Sequence, residues 1–273
     1  MRLHLWEEPE RAYQIEGKHF GSMYHSVAER LFVELAGQGG LPLRAEALSS
    51  LYERVGVLVD EELADFVAEG GIVNVALLEP VRVRLRSDLE EMLRDQVETD
   101  DGFVPVAFEH TFEDLAVPLA EGASIAFRGT IDRIDVHSGS RRVRVIDYKT
   151  GGFYWERDQQ FNGGRALQLA VYNLAARAAY PDHQVAEASY YHSTAVGRFK
   201  RKSCADTPEV EETLRRVLGD LDALVASGVF PPVADDCMFC DFKSVCGPFR
   251  EARAERKTGD PRLAVFKKMR EIP

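Results

Sequence analysis

Two consecutive runs, Ile125-Ala-Phe-Arg-Gly-Thr-Ile-Asp-Arg-Ile-Asp-Val136 and Arg142-Val-Arg-Val-Ile-Asp-Tyr-Lys149, are joined by Ser138-Gly139-Ser140-Arg141. Their alternation of apolar and polar residues predicts half-buried strands. Gly-Ser at the centre of the link suits a type II′ turn, which takes Gly first. With Ser138 facing Arg141, the ladder sets Asp132 directly opposite Asp147, β-carbons ~4.5–5.5 Å apart. Facing carboxylates destabilise an apolar hairpin unless something positive lies between them. A divalent cation meets that need, and Mg²⁺ takes one or two carboxylates together with water and phosphate oxygens. Lys149 follows Asp147 by two positions and leaves the same strand face. An ammonium there can orient a water nucleophile or stabilise phosphoryl charge. The plainer alternative makes Asp132 and Asp147 solvent-facing strand residues and pairs Asp135 with an arginine.

The rest of the chain supplies helices around this hairpin. Val27, Leu31 and Leu35 recur at spacing four, with Ala28 and Phe32 beside them, and predict a helix over Gly21–Gly37 that stops at the glycines. Amphipathic helices are expected at Arg44–Glu69 and Pro80–Val97. Val104, Val106 and Phe108 alternate as a strand. Gly163–Tyr180 returns to helix, Val185–Ser193 to strand and Pro208–Ser227 to helix. The expected class is α/β, a mostly antiparallel sheet among helices.

These segments carry a resemblance. Gly129-Thr-Ile-Asp132-Arg-Ile-Asp followed by Val145-Ile-Asp147-Tyr-Lys149-Thr-Gly151 resembles the PD-(D/E)XK nuclease superfamily, and within it the RecB-like nuclease domains of bacterial DNA-repair helicase–nucleases. Gly21-Ser-Met-Tyr-His25-Ser-Val-Ala-Glu29-Arg is similar to that family's helix with a metal-binding histidine. Val106-Ala-Phe-Glu109 is similar to its Val-x-x-Glu strand, and Gln168-Leu-Ala-Val-Tyr172 to its Gln-x-x-x-Tyr helix. Together they cover about residues 20–175 in the family's order. The resemblance implies a restriction-endonuclease-like core, a mixed central sheet flanked by helices, with a helical insert at about 40–100. It implies that Asp132, Asp147 and His25, with Glu109, hold Mg²⁺ or Mn²⁺, and that Lys149 is the catalytic lysine.

Taken alone, the same residues read more plainly. His25 lies near the apolar edge of its helix, where a histidine is usually a satisfied boundary residue. Glu109 reads as an ordinary strand carboxylate. Gln168 and Tyr172 share a helix face at i, i+4, as a polar stripe or as contacts to DNA. Arg198, Lys200, Arg201 and Lys202 form a basic run, either a solvated segment or a set of phosphate contacts. Phe153, Tyr154 and Trp155 could stack on single-stranded bases or pack on the sheet.

Four cysteines are present, and Cys237, Cys240 and Cys246 follow C-x₂-C-x₅-C. No secretion signal opens the chain, so a structural disulfide is not expected and metal binding is. Zinc or a [4Fe–4S] cluster would suit four thiolates. Iron–sulfur nucleases of the AddB type, and related CRISPR-adaptation nucleases, carry this spacing at the end of the domain, with the fourth cysteine upstream of the histidine helix. Here no cysteine precedes Cys204. The expectation is a domain beginning after that ligand; Cys204 in its place, or an incomplete cluster, are the alternatives. The expected layout is a nuclease domain over 1–235, the cysteine motif at 236–250 and a basic tail at 251–273.

The net charge of −11 would ordinarily argue against a nucleic-acid partner. It is unevenly spread. Residues 51–121 hold 18 acidic and 5 basic side chains, a net of −13, whereas 122–204 stand at +6 and 250–273 at +4. The acidic block is expected to face away from DNA or toward a partner protein. No apolar run nears the ~20 residues of a membrane span, and the composition suits a cytoplasmic protein. No G-x-x-x-x-G-K-[ST] sequence occurs, so an ATP-driven motor would lie elsewhere. The resemblance implies an exonuclease on DNA ends, single-stranded ones among them, working with a helicase in double-strand-break repair. A catalytically silent DNA-guiding module with a metal staple, and a stand-alone CRISPR-type trimming nuclease, are the rivals. Iron, zinc and sulfide analysis of anaerobically purified protein is expected to find bound metal, and a metal-free preparation would remove the cysteine motif from the metal-site reading.

Overall fold

A computed structural model of the chain describes residues 15–70, 75–99, 101–153, 160–230 and 243–273. Five strands form one sheet in sequence order: β1 (Phe103–Pro118), β2 (Ser124–His137), β3 (Arg142–Tyr148), β4 (Gln184–His192) and β5 (Lys200–Ala205). Neighbours pair antiparallel except β3 and β4, which run parallel with α4 (Gln168–Ala179) between them in sequence. The sheet is therefore mixed, flanked by helices, as in the PD-(D/E)XK core.

Each sheet face has its own apolar core. One collects Ile134, Val143, Val145, Val185 and Ala188 under α4, α5 (Pro208–Ala226) and α8 (Ala264–Arg270), whose Met269 is buried there. The other collects Ile146, Tyr148 and Tyr191 under α1 (Gly17–Gln38), α2 (Leu48–Ala68) and α3 (Leu78–Glu98). Period-two alternation along β3 sends Val143 and Val145 to the first core and Ile146 and Tyr148 to the second. The helical ends follow local chemistry. Gly39 closes α1 at φ 69, where a side chain would be strained, and Gly40 N–H reaches Leu35 O at 2.8 Å. Thr207 caps α5 through Val210 N–H, with Pro208 next. Two short helices, α6 (Lys243–Cys246) and α7 (Arg250–Arg256), precede α8. The basic C-terminal segment is thus built into the fold. Its Pro273 carbonyl accepts from Phe161 N–H at 2.7 Å, and Ile272 packs in the first core. No helix among the described residues is long and apolar enough to cross a membrane.

The hairpin register is the expected one, with Arg133 opposite Ile146, Asp135 opposite Arg144 and Val136 opposite Val143. The turn is not. Ser138–Arg141 make a longer link, and Gly139 does not take the positive φ that a type II′ turn requires at that place. Strand β1 runs past Phe108, through two positive-φ residues, Glu109 and Asp114. The helix expected from Gly163 begins only at Gln168, because Gly163 and Gly164 both adopt positive φ.

A buried ionic knot ties β2 to the helical layer. Arg133, 2% exposed, donates through Nε and Nη2 to the fully buried Asp135 carboxylate. Arg133 Nη1 donates to Gln96 of α3 and Tyr148 Oη, and Arg144 adds a second cation on Asp135 at 2.9 Å. This is the arginine partnership that the plainer sequence reading assigned to Asp135. A buried pair is costly to break from one side, since the survivor keeps its charge without a partner. Asp135→Ala is expected to lower folding stability by roughly 3–5 kcal/mol in urea unfolding; a loss below about 1 kcal/mol would show that Arg133 is satisfied otherwise.

Candidate metal centre

Three elements deliver the central groups. His25 lies in mid-α1, Glu109 in β1 and Asp132 in β2. One ligand atom from each lies within 4.8 Å of the others. Helix α1 passes over the segment just past β3 at Gly21, one turn before His25, where a β-carbon would stand in contact with Thr150 Oγ1 at 3.4 Å. Glu109 reaches the cluster from a left-handed backbone, φ 44, between the pairs Phe108–Arg133 and His110–Ile131. A non-glycine residue at such φ costs on the order of 1–3 kcal/mol and persists where the surroundings force it.

The histidine geometry is informative. His25 Nε2 stands 3.0 Å from the Tyr148 carbonyl. A carbonyl only accepts, so Nε2 carries the proton. Nδ1 of the neutral ring is then a lone pair, yet it faces Asp132 Oδ2 at 3.3 Å. Two acceptors in that arrangement need a proton or a cation between them. Consistently, His25 is shifted up. Burial acts to lower it, but the hydrogen bond and charge of Asp132, with the charges of Asp147 and Glu109, outweigh burial. Glu109 is also pushed up, first by burial and then by the charges of Asp132 and Glu29. Asp132 is itself aimed by the backbone, accepting Tyr148 N–H at 2.7 Å. Oxygen and imidazole donors, crowded with negative charge and pre-aimed by backbone groups, are a donor set for a hard divalent cation.

Asp147 stands beside this trio and is withheld from it. Its carboxylate is paired with the Lys149 ammonium. Burial, followed by the Asp132 charge, pushes Asp147 up to about 6 even against Lys149. Lys149 also lies over the Tyr190 ring, 4.8 Å from its centroid. The sequence therefore places His25, Asp132, Asp147 and Lys149 in one neighbourhood, and Glu109 belongs to it as well. What the sequence did not expose is the service of Tyr148, whose N–H and carbonyl aim Asp132 and His25.

The residues expected on DNA divide. Tyr172 is 6% exposed, and its hydroxyl donates to Thr130 O at 2.6 Å while accepting from Gln168 Nε2 at 2.8 Å. Both lone-pair and proton capacity face inward, so Tyr172 steadies β2 two residues before Asp132. Gln168 stays half-buried. Arg198 and Lys200 are exposed, and Lys200 lies over the Phe153 ring at 5.4 Å. Arg201 binds Asp95 at 2.7 Å. Tyr154 and Trp155 lie outside the described residues.

The cysteines divide too. Cys204 is 2% exposed in the first core, where Asn173 Nδ2 donates to its carbonyl at 3.0 Å and lies 3.8 Å from its sulfur. Burial pushes this thiol up, against the thiolate that a cluster ligand must be. Cys246 is an exposed free thiol at the end of α6. Cys237 and Cys240 lie outside the described residues.

Known proteins resemble this chain. The family model described as the PD-(D/E)XK nuclease superfamily matches residues 2–247. The chain is 29% identical over 179 residues to an ATP-dependent helicase/deoxyribonuclease subunit of Symbiobacterium thermophilum, over 60% of this chain and 15% of that protein. It is 26% identical over 207 residues to the protein of the same name from Lacticaseibacillus casei, over 70% of this chain and 17% of that protein. A Clostridium perfringens protein of that name is 33% identical over 85 residues, 30% of this chain and 7% of that protein. The chain thus spans about a sixth of the length of the first two relatives. With its mixed sheet, its paired aspartates and its lysine inside the matched span, the chain belongs to the PD-(D/E)XK nuclease superfamily.

Proposed function

We infer that this chain is a metal-dependent deoxyribonuclease domain, with residues 1–235 and the cysteine motif forming one unit. The observation that carries the reading is the convergence of His25, Glu109 and Asp132 beside the Asp147–Lys149 pair. The helicase/deoxyribonuclease names of the relatives support DNA as substrate and a helicase as partner. The activity proposed with it, on the family resemblance of the sequence motifs, is exonucleolytic, on DNA ends and in particular single-stranded ones, in double-strand-break repair in the cytoplasm. Gln168, Lys200 and Arg198 serve as DNA contacts. Cys237, Cys240 and Cys246 bind zinc or a [4Fe–4S] cluster, with a ligand upstream of the chain or Cys204 in the fourth place, as a staple without a redox task.

His25 Nδ1, Asp132 and Glu109 would hold Mg²⁺ or Mn²⁺, with Asp147 joining them when Lys149 swings to substrate. A bound divalent cation supplies Lewis-acid polarisation of the phosphodiester and a nucleophilic water at neutral pH. The Tyr148 carbonyl keeps the proton on His25 Nε2 and so presents Nδ1. The Tyr148 amide fixes the rotamer of Asp132. The Lys149 ammonium orients the attacking water and balances charge on the phosphoryl oxygens. Water adds to phosphorus and gives up a proton to solvent, the ester P–O bond breaks, and the departing oxygen takes up a proton from solvent, leaving a phosphate monoester and a free hydroxyl.

Two measurements test this reading. Lys149→Ala is expected to lose about 100-fold or more in kcat on labelled single-stranded DNA with Mg²⁺; equal activity in both proteins would sink the assignment. Asp132→Asn removes a charge but keeps an acceptor for Tyr148 N–H. Titration calorimetry is expected to show its Mn²⁺ affinity weakened at least roughly tenfold. A wild type that binds neither Mg²⁺ nor Mn²⁺ would favour the catalytically silent module.

A further inference from the structure

The link between β4 and β5 has a backbone that its residues do not favour. Arg198 and Phe199 take φ values of 58 and 53, and Lys200 N–H closes the turn on Gly197 O at 3.4 Å. Successive positive φ values belong to type I′ turns, which are ordinarily filled by Asn-Gly. An arginine and an aromatic there hold strain that survives only where contacts over-determine it.

Those contacts are present, and they point in one direction. Thr194 Oγ1 donates to Thr150 O and accepts Gly197 N–H, both at 3.2 Å. Gly197 is wedged so tightly that a β-carbon would lie 2.5 Å from His192 Cβ and 3.1 Å from Gly151 O. His192 Nδ1 is itself 3.0 Å from Gly151 O, and Ser193 N–H reaches Lys149 O at 3.2 Å. Asp88 of α3 accepts Ala195 N–H at 2.8 Å, and Phe199 packs against the core under α1–α3. The loop is thereby sewn to Lys149-Thr-Gly151, the segment that leaves the site.

The strain thus has one exposed product, Arg198. The cations that follow it are engaged, Lys200 over Phe153 and Arg201 with Asp95, whereas Arg198 has no carboxylate partner among the described residues. We propose that Arg198 is a preorganised phosphate anchor, held by the strained turn so that its guanidinium grips a backbone phosphate of the strand whose scissile bond lies at Lys149. The anchor rests on the nuclease reading for its ligand. Its physics is distinct from metal binding: a launch point held by a rigid turn and a planar fork of donors lose less freedom on binding than a cation carried by a mobile loop would.

Arg198→Asn in the full chain separates strain from anchoring, because asparagine tolerates left-handed backbone. It is expected to raise Tm by about 1–3 °C. Binding of a fluorescein-labelled oligothymidylate, followed by anisotropy with Ca²⁺ replacing Mg²⁺, is expected to weaken about tenfold. The slope of log Kd against log salt should fall by about 0.7, one single-strand phosphate contact, and Arg198→Lys should restore the slope. Unchanged affinity and slope in Arg198→Asn would overturn the anchor, and a lowered Tm would overturn the strain that defines it. A wild type that binds the oligonucleotide but fails to cut it with Mg²⁺ would sink the nuclease reading alone; the affinity loss in Arg198→Asn would then still support the anchor.

Discussion

Mutual repulsion of carboxylates is the constraint around which this molecule is arranged. Asp132, Asp147 and Glu109 crowd one end of the sheet, where burial deprives them of water. Such an arrangement is stable only with compensating positive groups. The protein provides two kinds: a fixed one, the Lys149 ammonium on Asp147, and a conditional one, the space between His25 Nδ1 and Asp132. The first keeps part of the charge balanced in the folded chain. The second leaves an attraction that a divalent ion can satisfy.

The fold meets this constraint with backbone groups more than with side chains. Strand β3 carries Asp147 into the site, while the Tyr148 peptide that follows aims Asp132 through its N–H and His25 through its carbonyl. The helical layer is indispensable because it brings His25, and its own attachment runs through the buried Arg133–Asp135 knot and Gln96. Many of the acidic residues in that layer are balanced locally, as in Arg54 with Glu34 and Arg86 with Glu90. On the other face, Tyr172 steadies the run-up to Asp132 through Thr130.

How much of this was legible in the sequence depended on whether a residue's role came from its spacing or from its backbone. The β2–β3 register followed from alternation and loop length, so Asp132, Asp147 and Lys149 could be grouped in advance. His25 and Glu109 needed the family resemblance, because one histidine on a helix and one glutamate in a strand carry no spacing signal. Strand β1 was half-read: the polar stretch from Glu109 to Asp114 hides its alternation, and two positive-φ residues interrupt it. Strand β5 was missed because Lys200-Arg-Lys reads as solvated, which is how a sheet edge guards itself against further pairing. The inward turn of the Tyr172 hydroxyl could not be foreseen, since a helix face at i, i+4 says which residues are neighbours and not whether the sheet covers them.

Helix α3 grips the β4–β5 hairpin at two places more than a turn apart. Asp88 holds the amide of Ala195 at the mouth of the link, and Asp95 takes both the Tyr191 hydroxyl and the Arg201 guanidinium farther along. Two attachments on one rod remove a hinge. The helix cannot slide or roll without carrying the link with it, and the link in turn is stitched to the residues just beyond Lys149. The acidic layer is in this sense a lever whose short arm ends beside Lys149, so a displacement of its outer surface has a rigid path to the candidate site.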